Sequence, residues 1–482
     1  MDVLALFSHD PAAPLLFNSG AFFLLFTLFV AVHALLRGRN RARLAWLLAF
    51  SLYYYWRSNG VYVLTLIGLA TVDFWIALRL HAAERPGVRK AWLAASVTSN
   101  LLGLGVFKYT NFVLGNLAWL AGRPFEPLHI FLPLGISFHV FQSISYLVDV
   151  YRRRYAPTKS LGEYVTFLSF FPQLVAGPIV RAPEFFSQIH PLADPDPEEV
   201  AGGLFRILQG LVKKAILADY LGRYADLVFG ASSTYSGPEV LLAVYAYSLQ
   251  IYFDFSGYSD VALGMARILG VRIPENFLAP YRATSITEFW RRWHVSLSSW
   301  LREYLYVSLG GNRHGRRRQV ASLMVTMLLG GLWHGASWTF VVWGGLHGTA
   351  LVVSKLVGQR LGPPRSRAGR AFAWLGTLHL VAGLWVIFRA HTLAAAGAVF
   401  AGIFRGWEGA RTLGVLGARR ELVVAVLAGF LLSVVPGGLW ARLEERFRVL
   451  PTFAKAGAFA VVVQAVLQGL THEVQPFIYF QF

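Results

Sequence analysis

The sequence predicts an all-α, polytopic integral membrane protein, on three observations. Hydrophobic residues make up 56% of the 482 positions and charged residues 14%, where a soluble domain carries about a quarter charged. Mean hydropathy is +0.50. Apolar stretches of bilayer-crossing length recur along the chain, and basic residues gather between them.

In chain order the stretches are 15–36, 61–80, 91–107, 241–251 with its extension, 320–342, 371–388, 422–439 and 454–470. The first is not read as a cleaved signal peptide: no basic segment precedes it, and a basic cluster follows it. That cluster holds Arg37, Arg39, Arg41 and Arg43. The others hold Arg152, Arg153 and Arg154; then Arg313, His314, Arg316, Arg317 and Arg318; then Arg365 to Arg370. Cytoplasmic loops favour Lys and Arg, so all four are placed inside. The N-terminus is then outside, and 320–355 becomes a hairpin that enters from the cytoplasm and returns to it. His334 is expected near the far end of its first arm.

One domain, 1–482, is expected, with N-terminal spans to about 155, a middle region over 156–358 and C-terminal spans over 359–482. The middle is unusually polar and aromatic for membrane depth. The apolar run 167–180 is broken by Pro172, Gly177 and Pro178 and is read as re-entrant. In 285–306, Ile286, Phe289, Trp290, Trp293, Leu297, Trp300, Leu301 and Tyr304 follow helical spacing, with His294 on the flank of the stripe and Arg291, Arg292, Arg302 and Glu303 off it. This is either an interfacial helix with Trp and Arg at the headgroups, or a helix whose His294 faces a cavity walled by tryptophans. Asp254 and Asp260 lie between apolar flanks and need partners, most naturally Arg or His. Ion pairing that stabilises a helix is favoured over a carboxylate that orients an imidazole.

A formal charge of +19 would suggest nucleic acid in a soluble protein; here the clusters fit a membrane protein, with membrane lipids as the contact and no nucleic-acid partner. A lesser reading gives some of them to anionic lipid or an acidic partner. The chain has no cysteine, which excludes disulfides, thiolate metal sites and a protein-bound acyl thioester. No Gly-x-Ser-x-Gly elbow, His-Glu-x-x-His pair or Walker loop is present.

His334 sits in Gly330-Gly331-Leu332-Trp333-His334-Gly335-Ala336-Ser337-Trp338. An ionisable group at mid-membrane depth is costly and marks function. Gly331 and Gly335 also have the spacing of close helix packing, so His334 could simply hydrogen-bond across an interface. Two imidazoles near a polar cavity suit general-base acyl transfer: a neutral ring takes a hydroxyl proton as the oxygen attacks a thioester, with indole N–H groups or arginines as oxyanion donors.

The runs Tyr252-Phe253-Asp254-Phe255-Ser256-Gly257-Tyr258-Ser259-Asp260, Pro274-Glu275-Asn276-Phe277, Ser285-Ile286-Thr287-Glu288-Phe289-Trp290-Arg291-Arg292-Trp293-His294, Leu301-Arg302-Glu303-Tyr304-Leu305-Tyr306, Leu309-Gly310-Gly311-Asn312-Arg313 and Gly331-Leu332-Trp333-His334-Gly335 resemble the membrane-bound O-acyltransferase (MBOAT) family. Leu132-Pro133-Leu134-Gly135-Ile136-Ser137-Phe138, the run from Pro172 to Arg181 and the closing Pro476-Phe477-Ile478-Tyr479-Phe480-Gln481-Phe482 add to the likeness. It is dense from about 130 to 350 and closest to the branch of alginate O-acetylation; teichoic-acid D-alanylation is more distant.

The resemblance implies a helical bundle with re-entrant or interfacial helices and funnels from both membrane faces, with 156–358 as the catalytic core. His334 takes the catalytic position. His294 takes a second position, usually His or Asn in the family. His347 matches a further histidine and is given a supporting role at most, since on one helix it lies more than three turns away. Trp290, Trp293, Trp333, Ser337, Asp254 and Arg291 are candidate lining residues; Asp254, Asp260, Arg291 and Arg302 are expected to be mainly structural. No metal and no covalent cofactor is expected. The expected donor is acetyl-CoA or an acyl-carrier thioester on the cytoplasmic side. The expected partner is a periplasmic acetyltransferase or the polysaccharide itself, at the bacterial inner membrane. His139 and the N-terminal extension depart from the family pattern. A polysaccharide or lipid-linked sugar flippase and a non-catalytic scaffold are the competing readings.

Overall fold

A computed structural model describes residues 9, 15–17, 19–174, 177–362 and 364–469. The closing motif 476–482, Asn18, Val175, Ala176 and most of the N-terminal extension lie outside the described residues. Within them the chain is helical, with no strand and one isolated bridge between Ile189 and Leu192.

The chain divides into two compact units. The first comprises residues 1–207 and 258–274. It holds α1 (Gly20–Leu35), α2 (Asn40–Asn59), α3 (Val63–Ala82), α4 (Pro86–Leu104), a π-helical turn at Gly105–Tyr109, α5 (Thr110–Leu120), α6 (Ile136–Tyr151), α7 (Leu161–Ser169), the short α8 (Phe171–Leu174) and α9 (Ala182–Phe186), and most of α10 (Pro197–Leu211). Ser19 caps α1 by accepting from the Phe22 amide, and Ser160 caps α7 through the Glu163 amide. Proline opens α4, where its missing N–H costs nothing. Of the run 167–180, residues 167–174 fold as the end of α7 and the single-turn α8 with buried side chains, each too short to cross a bilayer.

Inside this unit Asp73 is buried among polar partners: Ser96 Oγ donates to it at 2.5 Å, and the Asn100 amide reaches both carboxylate oxygens at 2.8 and 2.9 Å. His139 is buried on α6. Asp260 pairs with Arg206 at 2.8 Å.

The second unit comprises residues 208–257 and 275–482. A π-helical segment, Val212–Ala218, leads to α11 (Asp219–Gly230). The 32-residue α12 (Gly237–Ile268) gives its first part to this unit and its end to the other. Then come α13 (Ile286–Arg292), α14 (Val295–Trp300), a π-helical segment Leu301–Tyr306, α15 (Gly315–His334), α16 (Trp338–Leu361) and α17 (Arg367–Arg389). The chain closes with α18 (Leu393–Ile403), α19 (Gly409–Ala418), α20 (Arg420–Ser433), α21 (Gly437–Arg448) and α22 (Thr452–Gly469).

By length and composition, three of the described helices can cross a membrane: Asn40–Ala82 (through a short 3-10 turn), Trp338–Gln359 and Arg367–Arg389. The pair α20 and α21, bent by 90°, makes a fourth if counted as one span. The stretches at 15–36 and 454–470 overlap the shorter apolar helices Gly20–Leu35 and Thr452–Val466.

Two local structures differ from the periodicity of the sequence. The stripe over 285–306 is not one helix. It breaks at Trp293 and His294, where His294 takes a left-handed backbone, φ 44° and ψ 55°. Helical spacing survives on both sides of the break, so periodicity alone cannot reveal it. The apolar run 320–342 is a hairpin tip. α15 ends at His334, Gly335 is extended, and the Ser337 side chain caps α16 through the Thr339 amide.

Candidate functional site

α15 and α16 return against each other along a glycine seam. A Cβ on Gly344 would stand 3.1 Å from the Gly331 Cα and closer still to the Met327 carbonyl oxygen. A Cβ on Gly348 would stand 2.9 Å from the Met324 Sδ. Gly335 is covered by the Phe340 ring and has no room for a side chain. The small residue facing Gly331 is therefore Gly344 of the returning arm.

This seam carries His334 at the C-terminal end of α15, 5% exposed. Three rings stand edge-on to its imidazole: Trp333 at 5.0 Å between centroids, Trp343 at 5.2 Å and Phe388 at 5.4 Å. His294 is fully buried, with the Phe255 ring 4.6 Å away and Trp333 at 6.3 Å. Neither of its ring nitrogens has a hydrogen-bond partner among the described residues. The Trp333 indole therefore packs against both histidines.

The left-handed turn at His294 is held from outside. Asn276 lies alongside, its carbonyl accepting from the Val295 amide at 3.0 Å, its side-chain oxygen from the Ser296 amide at 3.2 Å and the Ser296 hydroxyl at 2.8 Å. The Leu278 amide donates to the Arg292 carbonyl at 2.9 Å. His and Asn are among the few side chains that tolerate this backbone region. Ser285 caps α13 through the Glu288 amide, and Glu288 accepts from Thr284 and from Arg292.

His347 lies nearer to His334 than a continuous helix allows, because the chain reverses at 335–337. Its ring packs 4.5 Å from Trp343, which also meets His334. His347 Nδ1 accepts from Trp290 Nε1 at 3.2 Å. Trp293 does not meet His334 in a ring contact but packs with Phe277, Phe289 and Trp385, and Trp385 in turn stacks on Trp343. Ser337 Oγ meets Thr339 Oγ1 at 2.6 Å. Arg291 is exposed.

Asp254 pairs with a lysine, where the sequence pointed most naturally to Arg or His. Its buried partner is Lys214, at 2.5 Å, which also binds Asp219 at 2.8 Å. One ammonium thus ties the π-helical segment to α11 and α12. Sequence reasoning missed Lys214, Trp343, Trp385, Phe388 and Asn276. Lys214 had a usable signal as a cation within an amphipathic apolar segment; the aromatic residues had none beyond their type. Among the described residues no group of three or more His, Cys, Asp or Glu side chains could hold a metal ion.

A buried histidine at a hairpin tip, a second across an indole from it and aromatic walls, on an all-helical, apolar frame, make up the candidate site. The chain belongs to the membrane-bound O-acyltransferase family, whose model matches residues 153–395, and it is an O-acyltransferase. It is 42% identical over 404 residues to a probable alginate O-acetylase AlgI of Azotobacter vinelandii, covering 81% of this chain and 78% of that one. It is 36% identical over 384 residues to a peptidoglycan O-acetyltransferase of Helicobacter pylori, covering 74% and 73%. A more distant relative is a teichoic acid D-alanyltransferase of Streptococcus thermophilus, 30% identical over 236 residues, covering 46% and 56%.

Proposed function

We propose that this enzyme transfers acetyl from a thioester donor on the cytoplasmic side of the bacterial inner membrane, for O-acetylation of an exported, alginate-like polysaccharide. The likeness to a probable alginate O-acetylase and to a peptidoglycan O-acetyltransferase supports the acyl group and the class of acceptor. The observation that carries the chemistry is His334, held at the hairpin tip by three edge-on rings with His294 across the Trp333 indole. Rings on three sides limit how far the imidazole can rotate, which favours a fixed line of attack.

His334 is the general base. It takes the acceptor hydroxyl proton as the oxygen bonds to the thioester carbonyl carbon. The tetrahedral intermediate then collapses, the C–S bond breaks, and the thiolate recovers the proton from the imidazolium. An acetyl ester and a free thiol remain. His294 orients a substrate through a ring nitrogen. The acceptor is either the glycan or a periplasmic acetyltransferase that passes the group on.

The test is the O-acetyl content of exported polysaccharide from cells with wild type, His334→Ala or His294→Asn at matched membrane levels, together with thiol release from acetyl-CoA by the purified protein. Loss of esters with polymer export intact is the expected result for His334→Ala. Normal esters in His334→Ala would refute the base assignment. Loss of export itself would favour the flippase reading.

A further inference from the structure

We propose that Trp290 and His347 are positioning residues for acyl transfer: their hydrogen bond locks the Trp343 indole that forms one wall of the His334 imidazole. The inference rests on His334 being the base.

An indole N–H can only donate, so the 3.2 Å contact from Trp290 Nε1 requires an unprotonated Nδ1 on His347. The contact thus selects the tautomer with hydrogen on Nε2 and fixes the ring plane. His347 is fully buried, and its Nε2 has no hydrogen-bond partner among the described residues. This polar edge instead lies within an aromatic group. Trp343 is 4.5 Å away at 70°, Trp290 5.1 Å at 77° and Trp385 6.5 Å at 60°.

Trp343, 1% exposed, is therefore held by His347, by Trp290 at 5.9 Å and by Trp385 stacked at 5.8 Å. Its other ring contacts among the described residues are Phe388 at 5.1 Å and the His334 ring, perpendicular at 87°. A buried, half-satisfied imidazole costs more than a phenyl ring of similar size. A histidine at 347 is hard to explain by packing alone, whereas the indole bond gives its acceptor a use. The elements involved are α13, α16 and α17, so the bond also ties the short helix before His294 to the hairpin that carries His334.

The experiment uses purified full-length protein in lipid nanodiscs with acetyl-CoA and an acceptor oligosaccharide, for the variants H347F, H347N, W290F and H347F/W290F. H347F keeps a ring and removes the acceptor. H347N places an amide oxygen where Nδ1 stood. The expected result for H347F and W290F is a fall in kcat of about ten- to hundred-fold, as for a misplacement near 1 Å. KM for the donor stays within about twofold, and the pH of half-maximal kcat is displaced. The double variant is no worse than either single one, since both break one contact. H347N recovers to within about threefold and regains the wild-type pH profile. The proposal is overturned if H347N is as impaired as H347F, if the single losses multiply in the double variant, or if the losses follow thermal stability with an unchanged pH profile. H334A separates the two levels. Activity retained there removes the base assignment itself. Activity lost there, with wild-type kcat in H347F and W290F, removes only the positioning role.

Discussion

Replacing Gly344 with alanine tests how the hairpin holds the site. The new Cβ would stand 3.1 Å from both the Gly331 Cα and the Met327 carbonyl carbon, and closer to the Met327 oxygen. Carbon atoms pack comfortably at about 3.5–4.0 Å. All three obstructing atoms are backbone, so no rotamer change makes room, and α15 and α16 must part by about 0.5–1 Å. Overpacking of this kind costs about 1–3 kcal/mol. The same displacement separates Trp343, beside Gly344, from His334, one turn beyond Gly331. An error near 1 Å in a reacting geometry costs about a hundredfold in rate. Gly358, on the same helix, has nothing within 4 Å of its Cβ position; alanine there should stabilise by about 0.5–1 kcal/mol. Thermal unfolding and acetyl transfer would be measured on both variants in nanodiscs. The reasoning fails if G344A melts and turns over like wild type, or if G358A is equally damaged.

Other perturbations have equally definite outcomes. Lys214→Met leaves Asp219 and Asp254 buried without their ammonium, and a loss of about 3–5 kcal/mol is expected; normal yield and melting of K214M would refute the ion-pair assignment. At His294, asparagine should keep the fold because it accepts the left-handed backbone, while valine should cost about 1–2 kcal/mol through that backbone alone; equal melting temperatures for H294N and H294V would contradict this. Asp73→Leu strands the Ser96 hydroxyl and the Asn100 amide in the core of the first unit, at about 1–3 kcal/mol for each donor left unpaired, and D73N should be the milder change; the reverse order by thermal unfolding would refute it.

The class of protein was legible because bilayer-length apolar runs and intervening arginines are one-dimensional signals. A hairpin over 320–355 was also legible from the basic residues at 313–318 and the charge-free run to 342, and α15 and α16 do pack against each other; the consequence of its turn for His347 was not. What escaped was whatever depends on a turn inside an apolar run. His347 looked remote from His334 because three helical turns separate them in sequence, and the reversal at 335–337 brings both to Trp343. The break at His294 was hidden because the apolar spacing resumes in phase after it, and the residue that stabilises it, Asn276, lies in a separate motif. Asp254 was expected to find Arg or His. Its lysine is forty positions earlier, in a π-helical segment whose extra residue per turn shifts the facing side chain.

The two ion pairs at α12, one buried and one half-buried, share a direction along the chain. Lys214 precedes Asp254, and Arg206 precedes Asp260. A carboxylate entering the membrane alone is opposed by about 2.5–3.5 kcal/mol. Because synthesis runs from the N-terminus, each cation has left the ribosome before the acid it neutralises. α12 can therefore fold into the apolar frame with its countercharges already made, and exchanging the members of either pair would leave the contact intact in the finished protein while reversing the order of arrival during its biogenesis.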